Sequence, residues 1–381
     1  MWTAVATNRF GTPIGEIAQA SARKARFPLN QSRTFTFRVR RDHPLINVFR
    51  TVDQCMVKLY DDSPGIPTLR FDGPVIDYQK QSQDGGGSLA VNCADVGWRV
   101  GKRLIEASKS KKGVSYPANA AAGGTMDRGA MAASIINGLN AADYTGLPGS
   151  GDTGLRVGSV TPSSATGVGP WYYANALQSI SALSATLDGF DFQILPTEPT
   201  RDATGLQLGV FNCGPVIGGP RPNTVFEYGD GKVNVASFTE TGDAAGLLNR
   251  AYNLPPGFPD NATQNVLTQG DPTSVSSRGV IYEDVVQGDF TVDAMRQSLL
   301  QKHIATRKQP RTVITFQPTR DLTPGVVPIY GLDYAEGDIV RFRAVEEGVE
   351  TVNALMRIYA VEMDIDEEGN ATPRITLLST G

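Results

Sequence analysis

The sequence predicts a mainly β protein with an α+β insert, in which two small antiparallel β-barrel domains are joined by a helical α+β module. Apolar and polar residues alternate in short segments before residue 112 and again after residue 206, and this period of two gives a strand one apolar and one polar face. The 41 glycines and 24 prolines among 381 residues are typical of many turns between short strands. Two apolar stripes with helical spacing lie between the segments and predict the insert.

Changes in composition divide the chain into four predicted segments. We expect an N-terminal arm over residues 1–31, a first barrel over 32–112, an α+β middle domain over 113–205 and a second barrel over 206–381. A helix over residues 291–306, with its N-cap at Thr291, interrupts the second barrel. A chain of this length usually holds more than one hydrophobic core, so several domains are expected.

The first segments contain a possible strand over residues 2–7 and an alanine-rich stretch over residues 17–25. We expect the second of these to be a helical arm that becomes ordered only on assembly. Strands of the first barrel are predicted over residues 33–41, 55–60, 69–78 and 89–95, with a helical turn at 44–49. Gly73 and Pro74 interrupt the third strand, and because proline cannot donate to a ladder we expect a bulge or an edge there.

The middle domain is predicted from two helical stripes and a strand. Met131, Ile135 and Leu139 recur every four residues, as on one face of a helix that starts near residue 126. A second stripe covers residues 177–187, and a strand follows over 190–194.

The second barrel is predicted from seven strands. A Pro/Asn/Thr loop over residues 253–277 and the inserted helix separate the third of these strands from the fourth. These strands cover residues 206–211, 224–228, 232–238, 311–317, 339–345, 354–365 and 374–378. The hairpin formed by residues 69–78 and 89–95 is echoed by residues 356–365 and 374–378. This echo indicates two units of one design, and a chance similarity between hairpins is the alternative.

Charge is distributed unevenly although the net charge is only −4. Residues 17–41 hold seven basic residues and no acidic one, whereas residues 333–368 hold eleven acidic residues and three arginines. The basic run has three interpretations: a nucleic-acid surface, a solvated strand face, or a head-to-tail contact with an acidic surface of a neighbouring copy. In the third interpretation Arg38, Arg40 and Arg41 are the subunit interface.

Residues for catalysis are scarce. The only histidines are His43, in a turn before proline, and His303, late in a helix, and both are interpreted as structural. The Ser-hydrolase elbow, the His-Glu-x-x-His helix and the Cys-x-x-Cys pair do not occur. Residues 149–154 fit G-x-G-x-x-G but continue as loop, so no nucleotide site is predicted.

Metal and cofactor sites are not predicted either. Asp364 begins a segment like a calcium loop, but the closing position is Ile375, so a hairpin turn is expected instead. The three cysteines, Cys55, Cys93 and Cys213, are widely spaced and are interpreted as reduced, buried thiols; a bridge between Cys55 and Cys93 stays open. No run of about 18 apolar residues, as a membrane span requires, occurs, and the first residues lack the pattern of a secretory signal.

Several motifs along the chain resemble those of a known family. They are Phe71-Asp-Gly-Pro-Val75, Leu89-Ala-Val-Asn-Cys-Ala-Asp95, the step from Trp98 to Arg103, and residues 226–237, 310–318 and 333–340. In this order they resemble the minor tail proteins of siphophages that infect actinobacteria, which look like distant relatives of the baseplate hub of contractile-tailed phages.

The resemblance implies a structural virion protein without enzyme activity or cofactor, made in the host cytoplasm. It implies tail-tube-like barrels and a homotrimer on the tail axis, at the tail tip. The implied partners are the tail tube protein, the distal tail protein, the tape measure protein and other minor tail or fibre proteins, with DNA passing through the lumen without specific binding.

Two other functions stay open at this point. One is a tail-associated cell-wall hydrolase, for which no catalytic motif is present. The other is a carbohydrate-binding receptor module, for which surface aromatic clusters are expected; Trp171-Tyr-Tyr173 is the only candidate, and its position at the start of a helix favours packing.

Overall fold

A computed structural model describes residues 1–63, 65–83, 86–105, 126–141, 152–162, 166–167, 174–202, 205–229, 233–244, 246–254, 266–286, 293–319 and 327–379. The boundary predicted at residue 112 and the N-cap predicted at Thr291 lie outside these ranges. The division into four segments therefore stays a prediction.

Strands dominate the described chain. They are β1 Trp2–Asn8, β2 Pro13–Glu16, β3 Ser21–Pro28, β4 Thr34–Arg40, β5 Cys55–Asp61, β6 Thr68–Gln83, β7 Gly86–Ala94, β8 Leu104–Ile105, β9 Met126–Asp127, β10 Leu155–Val160, β11 Thr166–Gly167, β12 Ala174–Asn175, β13 Asp191–Asp202, β14 Gly205–Gly214, β15 Pro220–Gly229, β16 Val235–Asp243, β17 Arg250–Asn253, β18 Leu267–Gly270, β19 Glu283–Val285, β20 Arg311–Pro318, β21 Ile339–Glu346, β22 Val349–Ile365 and β23 Ala371–Ser379. The helices are α1 Ile46–Phe49, α2 Gly97–Val100, α3 Arg128–Ala141, α4 Ala176–Ser184, α5 Pro272–Arg278 and α6 Asp293–Arg307. The mainly β class is confirmed.

One 13-stranded sheet runs through both segments that were predicted as barrels. Its order is β16-β20-β23-β22-β3-β4-β7-β6-β5-β1-β2; in addition, β21 pairs with β22, and β15 pairs with β21. No sheet of the described residues closes on itself, so closed barrels are not confirmed. Among the same residues, none of the helices has the length and apolar composition needed to cross a bilayer.

Two groups of strands in this sheet share one design. The first group is β3 with β4–β7, and the second is β16 with β20–β23; we call them repeat 1 and repeat 2. Across the sheet, the strands of repeat 1 lie in the order β3-β4-β7-β6-β5, and those of repeat 2 lie in the order β16-β20-β23-β22-β21. The two orders are equivalent strand by strand. The long strands β6 and β22 are equivalent, and each carries a bulge near the point where its pairing changes from one neighbouring strand to another. The bulge lies between Val75 and Asp77 in β6 and between Ile358 and Ala360 in β22. The hairpin echo in the sequence therefore corresponds to a repeated fold unit.

The interruption predicted at Gly73 and Pro74 is the point where β6 changes partner. Residues up to Pro74 pair with β5, and residues from Val75 pair with β7. A Cβ added at Gly73 would lie 1.9 Å from the carbonyl oxygen of Ala94, so the close approach of the strands requires glycine. The strand continues through this point, and the predicted bulge follows it directly, between Val75 and Asp77.

The helical arm predicted over residues 17–25 is wrong, because β3 occupies most of it. Lys24 and Arg26 are exposed while Ala25 and Phe27 are buried, which is the alternation of a strand. β3 lies between β22 and β4, and pairing on both edges outweighs the helical preference of the alanines.

Two hydrophobic cores lie on the apolar faces of these elements. The first packs phenylalanines of both repeats, among them Phe27, Phe35, Phe71, Phe316 and Phe342. The second joins α3, α4 and α6 to the three-stranded sheet β10-β14-β13. The two helices predicted for the middle domain are present as α3 and α4, but the strand predicted over residues 206–211 as part of the second barrel belongs to this sheet and not to the large one.

The loop predicted over residues 253–277 is wrong in its second half. β18 pairs with β17, which also pairs with β19, and α5 follows β18 directly. The Asp271 side chain accepts a hydrogen bond from the Ser274 N–H at 2.8 Å, Pro272 occupies the first turn, and Gly279 ends the helix with φ +69°. These residues are ordinary signals for the start and the end of a helix. The helix was missed because the segment is polar and shows no apolar stripe.

Candidate assembly surface

Repeats 1 and 2 are joined edge to edge by β3 and β22. Their antiparallel register sets Lys24 opposite Asp364 and Arg26 opposite Glu362, and each pair forms a salt bridge of 3.3 Å. All four side chains are between 44% and 69% exposed, and such pairs contribute little to stability. Their contribution is to the register, since both pairs of opposite charges form together only in this alignment.

The basic and acidic runs therefore meet inside one chain. Besides Lys24 and Arg26, Arg33 reaches an acidic residue of the other run, with its Nη2 3.7 Å from Glu336 Oε1. Arg23 is buried. The exposed basic residues of the run that have no partner in the acidic run therefore lie at its end.

That end is the predicted interface of Arg38, Arg40 and Arg41. All three are exposed at the end of β4 and just beyond it. Arg40 contacts Asp42 at 3.2 Å, and both side chains remain largely exposed. Within the described residues, the side chains of Arg38 and Arg41 make no hydrogen bond or ion pair. The three arginines lie close together, and the interface they form stays a prediction.

The hairpin tip of repeat 2, where β21 turns into β22, carries exposed glutamates and an exposed valine. Glu346, Glu347 and Glu350 are exposed there, and Val349 is 63% exposed. Only Glu350 has a salt bridge, to Arg343 Nε at 3.0 Å, among the described contacts of these acids. The tip thus presents negative charge and apolar surface together, opposite in sign to the arginines of repeat 1.

A buried polar cluster fixes the segment before β21 against repeat 1. The Tyr330 hydroxyl donates to Glu336 Oε1 at 2.7 Å, which also lies near Arg33. Arg70 Nη2 donates to the Tyr330 carbonyl and to Asp61 Oδ2, each at 3.4 Å. Burial raises the pKa of the Tyr330 hydroxyl well above its usual range. The buried charges here are paired and serve the joint between the repeats.

Asp95 holds the chain after β7 in place. One carboxylate oxygen accepts from the Arg33 N–H at 2.6 Å and the other from the Gly97 N–H at 2.9 Å. Burial raises the pKa of Asp95 to about 6, although these hydrogen bonds oppose the shift. The aspartate connects β4 to the start of α2.

A second acidic group lies between β5, β6 and β13. Lys58 Nζ donates to Glu198 Oε2 at 2.5 Å, and the Tyr60 hydroxyl donates to Glu198 Oε1 at 3.0 Å. Asp72 lies opposite Lys58 in the register and is 2% exposed. Neither of its carboxylate oxygens has a hydrogen-bond partner among the described residues, and burial raises its pKa to about 7.

The histidines have structural surroundings, as expected. His43 Nε2 donates to the Ala18 carbonyl at 2.9 Å, and its Nδ1 accepts from the Leu45 N–H at 3.1 Å, so the ring braces the turn after β4. His303 is part of α6, where burial and the nearby Arg307 and Arg311 lower its pKa.

The cysteines and the acidic turn also match their predictions. All three cysteines are buried and free. The Asp366 side chain accepts from the Asn370 N–H at 2.7 Å, as in a hairpin turn, and Asp364 pairs with Lys24. No group of three or more His, Cys, Asp or Glu side chains lies together as metal ligands in the described ranges. The aromatic cluster 171–173 and most of the glycine motif 149–154 lie outside those ranges.

Comparison with known proteins shows the fold. No model of a protein family matches the chain, and no curated protein matches it in sequence. A tail protein from Neisseria meningitidis is similar over 100% of this chain and 97% of its own, with a TM-score of 0.55 and 12% identity. The 43 kDa tail protein of prophage MuSo2 from Shewanella oneidensis is similar over 100% and 98%, with a TM-score of 0.57 and 12% identity.

A third solved structure is the prophage tail protein gp18 from Listeria monocytogenes. It is similar over 99% of this chain and 94% of its own, with a TM-score of 0.50 and 12% identity. The chain therefore has the fold of phage tail proteins, and the resemblance seen in the sequence motifs is confirmed at the level of the fold.

Proposed function

We propose that the chain is a structural subunit of a phage tail tip, a baseplate-hub-like protein that forms the distal end of the tail channel. The observation that carries this proposal is the edge-to-edge joint between β3 and β22, which places two equivalent units side by side in one sheet. A wall around a channel needs such units repeated about an axis.

The proposed assembly is a homotrimer. Three copies contribute six units, so a threefold hub can meet a sixfold tail tube. In this arrangement each repeat acts as a tail-tube-like barrel unit of the wall, and the α+β module packs outside it. Arg38, Arg40 and Arg41 of one copy, which are all exposed, face an acidic surface of a neighbour.

The proposed partners follow from a position at the end of the tube. The tail tube protein and the distal tail protein lie above the ring, the tape measure protein ends in its channel, and other minor tail or fibre proteins attach at its side. DNA passes through the channel without specific binding. The net charge of −4 and the pairing of Lys24 and Arg26 with acids support this, because phosphate binding depends on available basic residues. The protein is made in the host cytoplasm and resides in the virion, where its role is mechanical.

The experiment is assembly in solution. The purified chain, alone and mixed with the tail tube and distal tail proteins of the same phage, is measured by light scattering at several concentrations. Trimers or rings are expected. A chain that stays monomeric at high concentration with both partners present contradicts the proposal, and clearing of host cell walls in a zymogram would support the hydrolase alternative.

A further inference from the structure

The open strand edges of the large sheet include those of β16 and of the second half of β6. β16 ends the sheet and pairs with β20 alone, and β6 beyond Pro74 pairs with β7 alone. Within the described chain, no other backbone group bonds to residues 77–82 or 236–242. These residues are exposed, with Phe238 half-buried.

Comparison of the two repeats indicates which strand would pair with each open edge. In repeat 2 the matching stretch of β22, after its bulge, has β23 on one edge and β3 on the other. β3 is the leading strand of repeat 1, and its equivalent in repeat 2 is β16, since each pairs with the strand that follows in its own repeat. The open edge of β6 therefore lacks the neighbour that β22 has, and β16 is the equivalent of that neighbour.

We infer that β16 of one copy pairs antiparallel with residues 78–82 of β6 in the next copy, repeating between chains the joint that β3 and β22 make within a chain. The occupant is a second copy of this protein. The inference rests on the proposed ring, for which it specifies the strands in contact.

The register between copies follows from the bulges. Val75 and Ile358 are the last pairing residues before each bulge, so Gln79 matches Glu362 and Gln81 matches Asp364. On the partner strands, Thr36 and Thr315 are equivalent. Their neighbours Lys24 and Thr239 therefore match as well.

Transferring the joint between β3 and β22 gives the pairs between copies. Gln79 lies opposite Thr241 of the next copy, and Gln81 lies opposite Thr239. Between them Lys80 lies opposite Glu240, and both of these residues are exposed and free of ion pairs among the described contacts. Opposite charges directly across an antiparallel pair favour this register. The next pair, Asp77 with Asp243, is acidic on both sides, so the ladder ends at Tyr78.

The other end of the sheet is a poorer partner for β16. β2 is also an edge strand, but it has four residues and begins with Pro13. A short edge with proline is a common means of preventing strand addition. Residues 77–82 contain no proline, and their edge is open.

Disulfide trapping tests the register. Gln79→Cys with Thr241→Cys places two thiols directly across the proposed pair, and oxidation by copper phenanthroline, with dioxygen as electron acceptor, joins them between chains. We expect covalent trimers on non-reducing gels, converted to monomers by dithiothreitol. The control is Gln79→Cys with Ser237→Cys, on the same face but four residues away, roughly 13 Å along the strand, which should trap less than one-tenth as much trimer. The native thiols are buried and will react slowly.

Charge exchange and hydrogen exchange provide independent tests. Lys80→Glu should lower the assembled fraction several-fold, Lys80→Glu with Glu240→Lys should restore it, and Lys302→Glu, on α6, should leave it unchanged. In the wild-type protein, amides of residues 78–82 and 237–242 should exchange at least tenfold more slowly in the assembly than in the monomer.

The outcomes separate this inference from the proposed function. If rings form but the 79/241 pair does not trap and these amides stay unprotected, the strand pairing is wrong and the tail-tip role stands. If the chain remains monomeric with its tail partners, both are wrong.

Discussion

Arg26 Nε lies 3.3 Å from Glu362 Oε1 across the strand pair that joins repeat 1 to repeat 2. The two residues come from opposite ends of the chain. Each belongs to a run of like charge that, taken alone, suggests binding to another molecule. Their contact shows that part of the charge asymmetry is satisfied within one subunit. It also fixes the alignment of the two repeats, which the inferred contact between copies repeats.

The stability of this joint should come from packing more than from its ion pairs. We expect Arg26→Ala to lower the free energy of unfolding by less than about 1 kcal/mol, because both partners are substantially exposed. Phe27→Ala, at the adjacent fully buried position, should cost about 3–5 kcal/mol. Urea unfolding of both variants measures this, and an equal loss in the two would contradict it.

Gly73 should not tolerate a side chain. The Cβ of Gly73→Ala would lie 1.9 Å from a backbone oxygen, so β6 or β7 must shift, at a cost of about 1–3 kcal/mol or more. Gly219→Ala is the control, since nothing lies within 4 Å of an added Cβ there. Thermal unfolding compares the two variants, and similar melting temperatures would show that the strands approach less closely than described.

Asp72 should make the protein less stable as the pH rises from about 4 to 7. Burial raises its folded pKa to about 7, above an unfolded value of about 3.9, so the folded state binds more protons across this window and stability falls as they are released. Burial also raises the pKa of Asp95 to about 6, which adds in the same direction.

The substitution Asp72→Asn should remove most of this pH dependence. Each pKa unit corresponds to about 1.4 kcal/mol, so the change is on the order of a few kcal/mol. Unfolding in urea at pH 5 and pH 8 gives the measurement for the wild type and the variant. A wild-type protein that becomes more stable from pH 5 to pH 8 would contradict a buried carboxyl group with a raised pKa at this position.

Reversing the exposed arginines should block assembly without unfolding the chain. In Arg38→Glu/Arg40→Glu/Arg41→Glu the predicted contact with an acidic neighbour becomes repulsive, while the side chains lie outside the core. The matched control is Arg50→Glu/Arg278→Glu/Lys302→Glu, three reversals elsewhere on the surface. Light scattering and circular dichroism together give the result, and unchanged assembly of the first variant would exclude the arginines from the interface.

Local patterns in the sequence predicted elements whose faces differ strongly. Phe35 and Phe37 alternate with threonines, and β4 follows; Met131 and Ile135 share a stripe, and α3 follows. β3 was misjudged because alanine favours a helix, and its strand form depends on neighbours distant in sequence. No local pattern shows that Lys24 meets Asp364.

Only the local part of the repeat could be predicted from the sequence. The hairpin echo is visible in residues 69–95 and 356–378, whereas the order of strands around each hairpin depends on tertiary pairing. The missed β17–β19 sheet and α5 are short and polar, so hydrophobic periodicity could not find them; only Asp271, Pro272 and Gly279 marked the helix ends.

The most direct measurement of the central claim is the mass and symmetry of the purified assembly, by light scattering and electron cryomicroscopy in the presence of the tail tube protein. We expect three times the 40.7 kDa of one chain, arranged as six similar units around a channel with β16 of each copy beside β6 of the next. A monomer under these conditions, or a ring in which the two repeats of a chain occupy unrelated environments, would contradict it.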